Sequence, residues 1–404
     1  MLQEMKKEVL PNGLTVIYKK RKGPSVVAEV MIKAGSNDEN SQERGISHFL
    51  EHILFEGTKK RPTNRAITNE IEKIGGEFNA YTTNERTCFY IKVLQKHFPI
   101  AVEILADIMQ NPLFRLKDIE REKKVVLKEI DLVNDEPRFY QWVLFQRVLF
   151  KEHPSRFPTY GNKKVISNLN REKVKDYFHQ YYHPNNMVLT IVGDVRGWQK
   201  EIRKKFTFPA HKVIKKRFPL ELPARQSSEK KEKRKIANTY AVLGFRTVPR
   251  THQEAYVLEV INGILGRGQS GRMFSEIRVK RGLAYDVGTQ HVAETGYGYF
   301  AVYATIDRKN LPLVKKVIAG ELKKLKELSE KDLQEAKDFI EGNYCLELED
   351  PQKMADQILA WEQASRAESM DNFIREIKKV RRSDIRGAVD KYFRNYTLAV
   401  VEGK

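Results

Sequence analysis

"VISNLNREKVKDYFHQYYHPNNMVLTIVGD", residues 165–194, reads as an amphipathic helix that leads into an alternating strand. A second stretch, "EIKKVRRSDIRGAVDKYFRNYTLAVVEG", residues 376–403, repeats the pattern. Ile166 matches Ile377, Leu169 matches Val380, Val174 matches Ile385 and Tyr181 matches Tyr392, all at one offset. After a small gap, Leu189 matches Leu398 and Ile191 matches Val400. Apolar residues recur at the same places in both copies, and each copy closes one half of the chain. An internal duplication is the economical reading.

The boundaries follow from that repeat. With 404 residues the chain is long for one core and comfortable for two domains. Between the copies lies "VIKKRFPLELPARQSSEKKEKRK", charged, interrupted by Pro219 and Pro223 and without clean periodicity. The sequence therefore predicts a first domain over 1–212, a linker over 213–235 and a second domain over 236–404. In the first half, Asn12-Gly13 precedes a strand, "SVVAEVMIKAG" reads as a second strand, and a helix follows. A helix over 64–74, strands in "GEFNAYTTNERTCFYIKVL" and long helices from 96 to 150 complete it. Strands and helices in separate runs predict an α+β fold: two homologous domains, each a mainly antiparallel sheet packed with helices.

Composition narrows the function classes. Hydrophobic residues make up 41% of the chain, enough for two cores and unlike a disordered sequence. No apolar run approaches the roughly 20 residues that span a bilayer. The opening "MLQEMKKEVLPNG" lacks an apolar signal region, so a cytoplasmic location and no membrane partner are expected. Cys88 and Cys345 are far apart and are read as buried, inert thiols. The formal charge of +20 raises the question of nucleic acid. The basic clusters at 19–23 and 229–235 are short, lack interleaved aromatics and match no binding motif, so no nucleic-acid partner is expected. A basic surface that steers acidic partners is the simpler account.

Chemistry concentrates in "GISHFLEHILFEGT", residues 45–58. On a helix, His48 and His52 lie about 40° apart, one turn above the other. Two imidazoles so placed can hold one Zn²⁺, and Glu51 on their flank is positioned to take a proton from water. Ile46, Phe49, Leu50, Ile53 and Leu54 form the apolar stripe on the other side. The bland alternative is a solvated polar face, against which Phe55 falls in the middle of that face.

A second helix, "KDIEREKKVVLKEIDLV" at 117–133, carries Glu122 and Glu129 within its apolar arc, nearly one above the other. Burying unpaired carboxylates is costly, so both need cations. A metal at the histidine pair would serve, with Glu129 as third ligand in an open His₂Glu site and Glu122 orienting a ligand imidazole. Ion pairs with Lys or Arg of another helix are the alternative.

"HFLEH", followed by Glu129 in "REKKVVLKEI", resembles the inverzincin metallopeptidases of the pitrilysin, insulinase and mitochondrial processing peptidase family. The likeness runs through "GGEFNAYTTNERTCFY" and "HPNNMVLTIVGDV" and covers essentially the whole chain. It implies one Zn²⁺ per chain in the first domain and a zinc endopeptidase that hydrolyses short or unfolded polypeptides inside a chamber. In the second half, which has no such motif, Arg278 and Tyr285 in "IRVKRGLAY" are similar to the family's Arg and Tyr that reach the substrate backbone. A tyrosine hydroxyl there can donate to the developing oxyanion. "GRGQSG", Gly266–Gly271, follows a helical pattern rather than a strand, which excludes a dinucleotide fingerprint and resembles the family's glycine-rich loop.

Longer members of the family enclose their chamber with four such domains in one chain. Two domains imply a pair of subunits, either a homodimer or a heterodimer with a related chain, in which Arg278 and Tyr285 of one subunit serve the zinc of the other. The strand around Asn79, Ala80 and Tyr81 resembles the family's edge for substrate peptides, with Tyr81 either shaping a side-chain pocket or packed in the core. Two other readings stand beside the enzyme: a non-catalytic scaffold relative, and a basic nucleic-acid-binding protein with a structural metal.

Overall fold

The structure, a computed structural model, describes residues 5–213 and 218–403. The first half runs β1 (Met5–Val9), β2 (Thr15–Lys19), β3 (Ser25–Ile32), α1 (Ile46–Ile53), α2 (Asn64–Glu72), β4 (Glu77–Thr82) and β5 (Thr87–Leu94). It continues through α3 (Phe98–Gln110), α4 (Leu116–Asp135), α5 (Pro137–Leu149), α6 (Lys163–Ser167), α7 (Arg171–Tyr181), β6 (Met187–Val192) and α8 (Trp198–Lys205). The second half begins with β7 (Ser228–Lys233), β8 (Thr239–Arg246) and α9 (Glu254–Gly266), then β9 (Ala284–Ala293) and β10 (Gly298–Ile306). Helices α10 (Leu311–Lys324), α11 (Glu330–Glu347), α12 (Pro351–Ala364), α13 (Phe373–Lys379) and α14 (Arg382–Tyr392) follow, and β11 (Thr397–Glu402) closes it. Within the segment expected to be a linker, 214–217 lie outside the described residues, and β7 is an ordered strand.

The fold is α+β with two domains, each a mixed sheet packed with helices. The first sheet has the order β1-β2-β6-β3-β5-β4 and the second β7-β11-β8-β10-β9. Each contains one parallel pair, β2–β6 and β7–β11, and is otherwise antiparallel. The duplication is visible in the strand order, β2-β6-β3-β5-β4 answering β7-β11-β8-β10-β9, with β1 outside the repeat. Ile166, Val174, Tyr181 and Leu189 are buried in the first core, and Ile377, Ile385, Tyr392 and Leu398 in the second.

The compact units do not follow the sequence halves strictly. One unit comprises Met1–Asp131, Pro158–Arg217 and Glu347–Met370; the other comprises Leu132–Phe157, Phe218–Leu346 and Asp371–Lys404. Helix α12, from the second half, packs on β3 and β6 of the first sheet, and α5, from the first half, packs on β8 and β11 of the second. Each sheet is thus covered on both faces. In the first, Val26, Ala28, Val30 and Ile32 of β3 face the cluster that includes Phe49 and Leu50 of α1. Glu29, between them in the pleat, points to the other face. Asp350 and Pro351 start α12 as an acidic cap followed by proline, with the Asp350 carboxylate accepting from the Gln352 amide at 2.7 Å.

In the second unit α5 approaches closely because position 244 has no side chain. A Cβ there would lie 2.5 Å from Cζ of Phe145. Gly244→Ala is therefore expected to destabilise the chain by about 1–3 kcal/mol, read by chemical denaturation. Combined with Phe145→Leu it should cost less than the sum of the two; strict additivity would show that the close approach is not what the glycine serves.

Two smaller expectations need correction. Cys88 is buried but Cys345 is exposed, because the latter sits on an outward position of α11. Helix α1 ends at Ile53, so Phe55 is not on its polar face; beyond the helix its ring packs on Phe78 and Phe89, with centroids at 5.2 and 5.7 Å.

Candidate metal centre

Helix α1 starts at Gly45, whose φ of 98° is in the left-handed region that favours glycine. No side chain at the cap satisfies the first amides. Glu39 does so from outside the helix: one carboxylate oxygen accepts from the Gly45 amide at 2.7 Å, the other from the Ser47 amide at 2.9 Å. Ser47 in turn bonds Tyr177 of α7 at 2.9 Å between hydroxyls. The helix is fixed at its N-terminal end, next to His48.

Glu39 is buried, and burial pushes its carboxyl up to about 8 despite the two amide donors. An unfolded glutamate titrates near about 4.3. Between these values the folded chain keeps a proton that the unfolded chain has released, so stability falls as pH rises, by up to about 1.4 kcal/mol per pH unit. Glu39→Gln has no such proton to lose. Its melting temperature should gain on wild type as pH rises over that range, and a constant difference would contradict the assignment.

One turn on, His48 and His52 face α4. His52 Nε2 lies 3.4 Å and His48 Nε2 3.8 Å from Oε2 of Glu129. Four ligands at about 2.0–2.1 Å in a tetrahedron stand about 3.4 Å apart; the two distances to Glu129 are near that, and one ligand atom from each of the three residues lies within 4.8 Å of the others. Among the described residues, His48, His52 and Glu129 form the single group of this kind. Burial, then the neighbouring His52, lowers His48 to about 4, which keeps its imidazole in the neutral, ligating form. Burial also works against the charged form of His52, but the Glu122 and Glu129 carboxylates outweigh it and raise the imidazole. The residues present fit a divalent ion of zinc type.

Glu122 is buried and its Oε2 lies 3.6 Å from Nδ1 of His52, the ring nitrogen turned away from Glu129. Its other oxygen meets Arg121 Nε at 3.2 Å, so its cationic company includes a neighbour on its own helix. Beside His52 and Arg121, its carboxyl is held below the usual range. Glu129 is not buried as the helical wheel implies: its side chain is 39% exposed, since α1 and α4 leave its edge open. An open side is what a site that admits substrate needs.

Glu51 sits on α1 beside the pair. Thr82, the last residue of β4, donates from its hydroxyl to Oε2 of Glu51 at 2.6 Å. Burial raises the Glu51 carboxyl, opposed by Thr82 and His52 and reinforced by Glu129. A carboxyl raised in this way is a better proton acceptor than an ordinary glutamate.

Strand β4 is at the edge of its sheet and, among the described residues, pairs only with β5. Along it Phe78 and Ala80 pack toward the helix face, and Thr82 follows in register. Asn79 and Tyr81 alternate to the opposite face. The Asn79 side chain accepts from the Ala80 amide at 2.8 Å. The Tyr81 hydroxyl bonds Asp356 of α12 at 2.5 Å and Glu29 at 3.2 Å. Tyr81 thus packs under α12, and a side-chain pocket on the face of the histidines is not where it points. Glu29 there is fully buried, and burial with Asp356 nearby raises its carboxyl well above the ordinary range.

Arg278 and Tyr285 belong to the second unit. Arg278 is exposed at the end of a π-helical turn, Phe274–Val279, with its guanidinium 5.0 Å from the Phe274 ring centroid. Such turns recur at functional sites. Tyr285, second in β9, an edge strand of the second sheet, is 58% exposed and donates to Asp307 at 3.3 Å. Gly266 ends α9, and Gly268 and Gly271 follow that helix.

Two residues of the site escape the sequence reading. Thr82 carried a usable signal, since it shares the face of Ala80 in a period of two. Glu39 carried less: an acidic residue in a polar stretch ahead of a helix is common, and only the fold brings it to the right amides.

The comparisons with known proteins agree with this chemistry. The family description "Insulinase (Peptidase family M16)" matches residues 15–153, and "Peptidase M16 inactive domain" matches 168–339. An uncharacterized zinc protease of Rickettsia felis is 32% identical over 98% of this chain and 96% of its own. The uncharacterized zinc protease YmxG of Bacillus subtilis is 28% identical over 98% of both chains. In structure, a protease from Helicobacter pylori superposes with a TM-score of 0.93 over 100% of both chains at 22% identity, which is a likeness of fold. Identity above 30% along nearly the whole length, with both family descriptions in order, decides the matter: the chain belongs to the insulinase family of peptidases, M16.

Proposed function

We propose that the chain is a zinc-dependent endopeptidase acting on short or unfolded polypeptides. The observation that carries this reading is the set of three ligand atoms at metal spacing with Glu51 beside them, held by Thr82. Zinc held by His48, His52 and Glu129 would supply Lewis-acid polarisation of the scissile carbonyl and an acidified water. Glu51 accepts the proton of the attacking water and returns it to the leaving amine. Glu122 holds the His52 ring through the same chemistry that fixes imidazole ligands elsewhere. The free edge of β4 offers backbone groups of Asn79, Ala80 and Tyr81 to an extended substrate, which adds as a further strand.

Arg278 and Tyr285 are proposed to bind the substrate backbone and the oxyanion, those of one subunit serving the metal of a second subunit. A non-catalytic scaffold is the other reading, favoured by the description of the second match as an inactive domain. That match covers 168–339, whereas His48, Glu51, His52 and Glu129 all fall in the first. The test is hydrolysis of a quenched-fluorescent unfolded peptide, with zinc counted per chain. One zinc and cleavage that stops on chelation are expected; zinc without cleavage would favour the scaffold. Mixing Glu51→Gln with Tyr285→Phe subunits should restore part of the activity each has lost, and no recovery in mixed dimers would refute sharing between subunits.

A further inference from the structure

The second unit repeats the first, and at one place the repeat is open. In the first unit, Val102, Leu105, Ala106 and Met109 form a stripe of α3 that is fully buried. The segment 198–211 covers this side: α8 packs on α3 with Trp198 and Ile202 buried, and Phe206 follows. Gln110 donates to the Lys205 carbonyl at 2.9 Å, Asn185 donates to the His211 carbonyl at 2.7 Å, and Lys205 pairs with Glu103. In the second unit the same stripe of α10 consists of Lys315, Ile318, Ala319 and Leu322. It borders a groove of about 400 Å³ instead. Leu243 and Phe245 of β8 and Phe393 beyond α14 are its apolar lining, and Ala319, the counterpart of the buried Ala106, is exposed.

The charge around the groove is inverted as well. Lys316 stands where α3 has Glu103, and Lys323 where it has Gln110. Lys315, Lys323, Lys326 and Arg394 line the rim against one acid, Asp390. Lys315 is engaged by Glu229 and Lys326 by Asp390, while Lys323 and Arg394 form no salt bridge among the described residues. The first unit shows what fits such a groove: a helix with apolar anchors one turn apart, then an aromatic. Its own cover is basic at Lys200, Arg203, Lys204 and Lys205, which suits Glu103 and not this rim. A second copy of α8 is therefore a poor occupant.

We propose that this groove of the second unit docks an acidic amphipathic helix of a partner protein. Its apolar face would enter between α10 and the end of α14, and its carboxylates would meet Lys323 and Arg394. The inference is independent of the peptidase reading.

The probe is a fluorescein-labelled peptide of residues 198–211 with Lys200, Arg203, Lys204 and Lys205 each replaced by glutamate. It is titrated by anisotropy against the full chain carrying Glu51→Gln, so that the peptide survives. Saturable one-to-one binding is expected, weakened at least tenfold by Ala319→Trp, which fills the groove. The unaltered basic peptide should bind at least tenfold more weakly. Reversing the rim with Lys323→Glu and Arg394→Glu should invert that preference, a readout that survives if Ala319→Trp disturbs the fold. Equal binding of the two peptides, or binding indifferent to Ala319→Trp, would overturn the proposal. So would displacement by decanoate alone, which marks a small-amphiphile pocket, or a dimer that Ala319→Trp dissolves, which marks a second copy as the occupant.

Discussion

Glu51→Gln should reduce peptide hydrolysis by about 10²- to 10⁴-fold, the usual worth of a positioned general base, while leaving bound zinc unchanged. The structure gives reasons for both parts. Glu51 is not one of the three clustered ligands, so its loss leaves the ion's protein contacts intact. A glutamine keeps the volume and can still accept from Thr82 at the place where Glu51 accepts at 2.6 Å, so the strand–helix contact persists. What disappears is the capacity to take a proton. Thr82→Val gives a graded version of the same experiment: the base remains but loses the donor that holds it, and a smaller loss of kcat is expected with zinc again unchanged. Equal losses of activity and metal in Glu51→Gln would instead make Glu51 a ligand.

The second large effect is on the metal. His52→Ala removes one ligand and also deprives Glu122 of its imidazole partner at 3.6 Å. Glu122→Gln removes only the orienting carboxylate, a change of the kind that costs about 10- to 100-fold in metal affinity. His52→Ala is expected to exceed that range, and His48→Ala likewise, measured by competition with a chromophoric zinc chelator on folded protein. The order matters more than the values. If Glu122→Gln weakened zinc as much as His52→Ala, Glu122 would have to be a direct ligand, with Glu129, the more exposed of the two, displaced from that role.

How much of this was legible in the sequence depends on how local each signal is. The duplication was readable because Ile166, Val174 and Tyr181 recur at one offset and because burial demands apolar residues at those places. The grouping of His48, His52 and Glu129 was readable in part, because helix geometry puts His48 over His52 and Glu122 over Glu129, while the cost of buried carboxylates and the family resemblance joined the two helices. What the wheel does not carry is which part of an apolar arc is covered. Glu129 and Leu132 lie on that arc, yet Glu129 is partly open and Leu132 is 69% exposed, since only tertiary contacts decide where α4 leaves its neighbours. Phe55 was misplaced because helix ends are set by a few weak local preferences. The exchange of α5 and α12 left no trace in either segment, because an apolar helix face looks the same whichever sheet it meets.

That exchange bears on how the protein is made. A ribosome delivers residues in order, and the first sheet is complete once β6 has emerged. The face that carries Glu29 and Tyr81 then has no cover until residues 351–364 are synthesised, more than 150 residues later. Until that moment a nascent chain with His48, His52 and Glu129 already translated still exposes the sheet face on which Val27, Met31 and Val188 accompany Glu29. Such a face is the kind of surface on which chaperones act and on which early aggregation begins. A gene cut at the junction between its halves would leave each product without the helix its sheet requires.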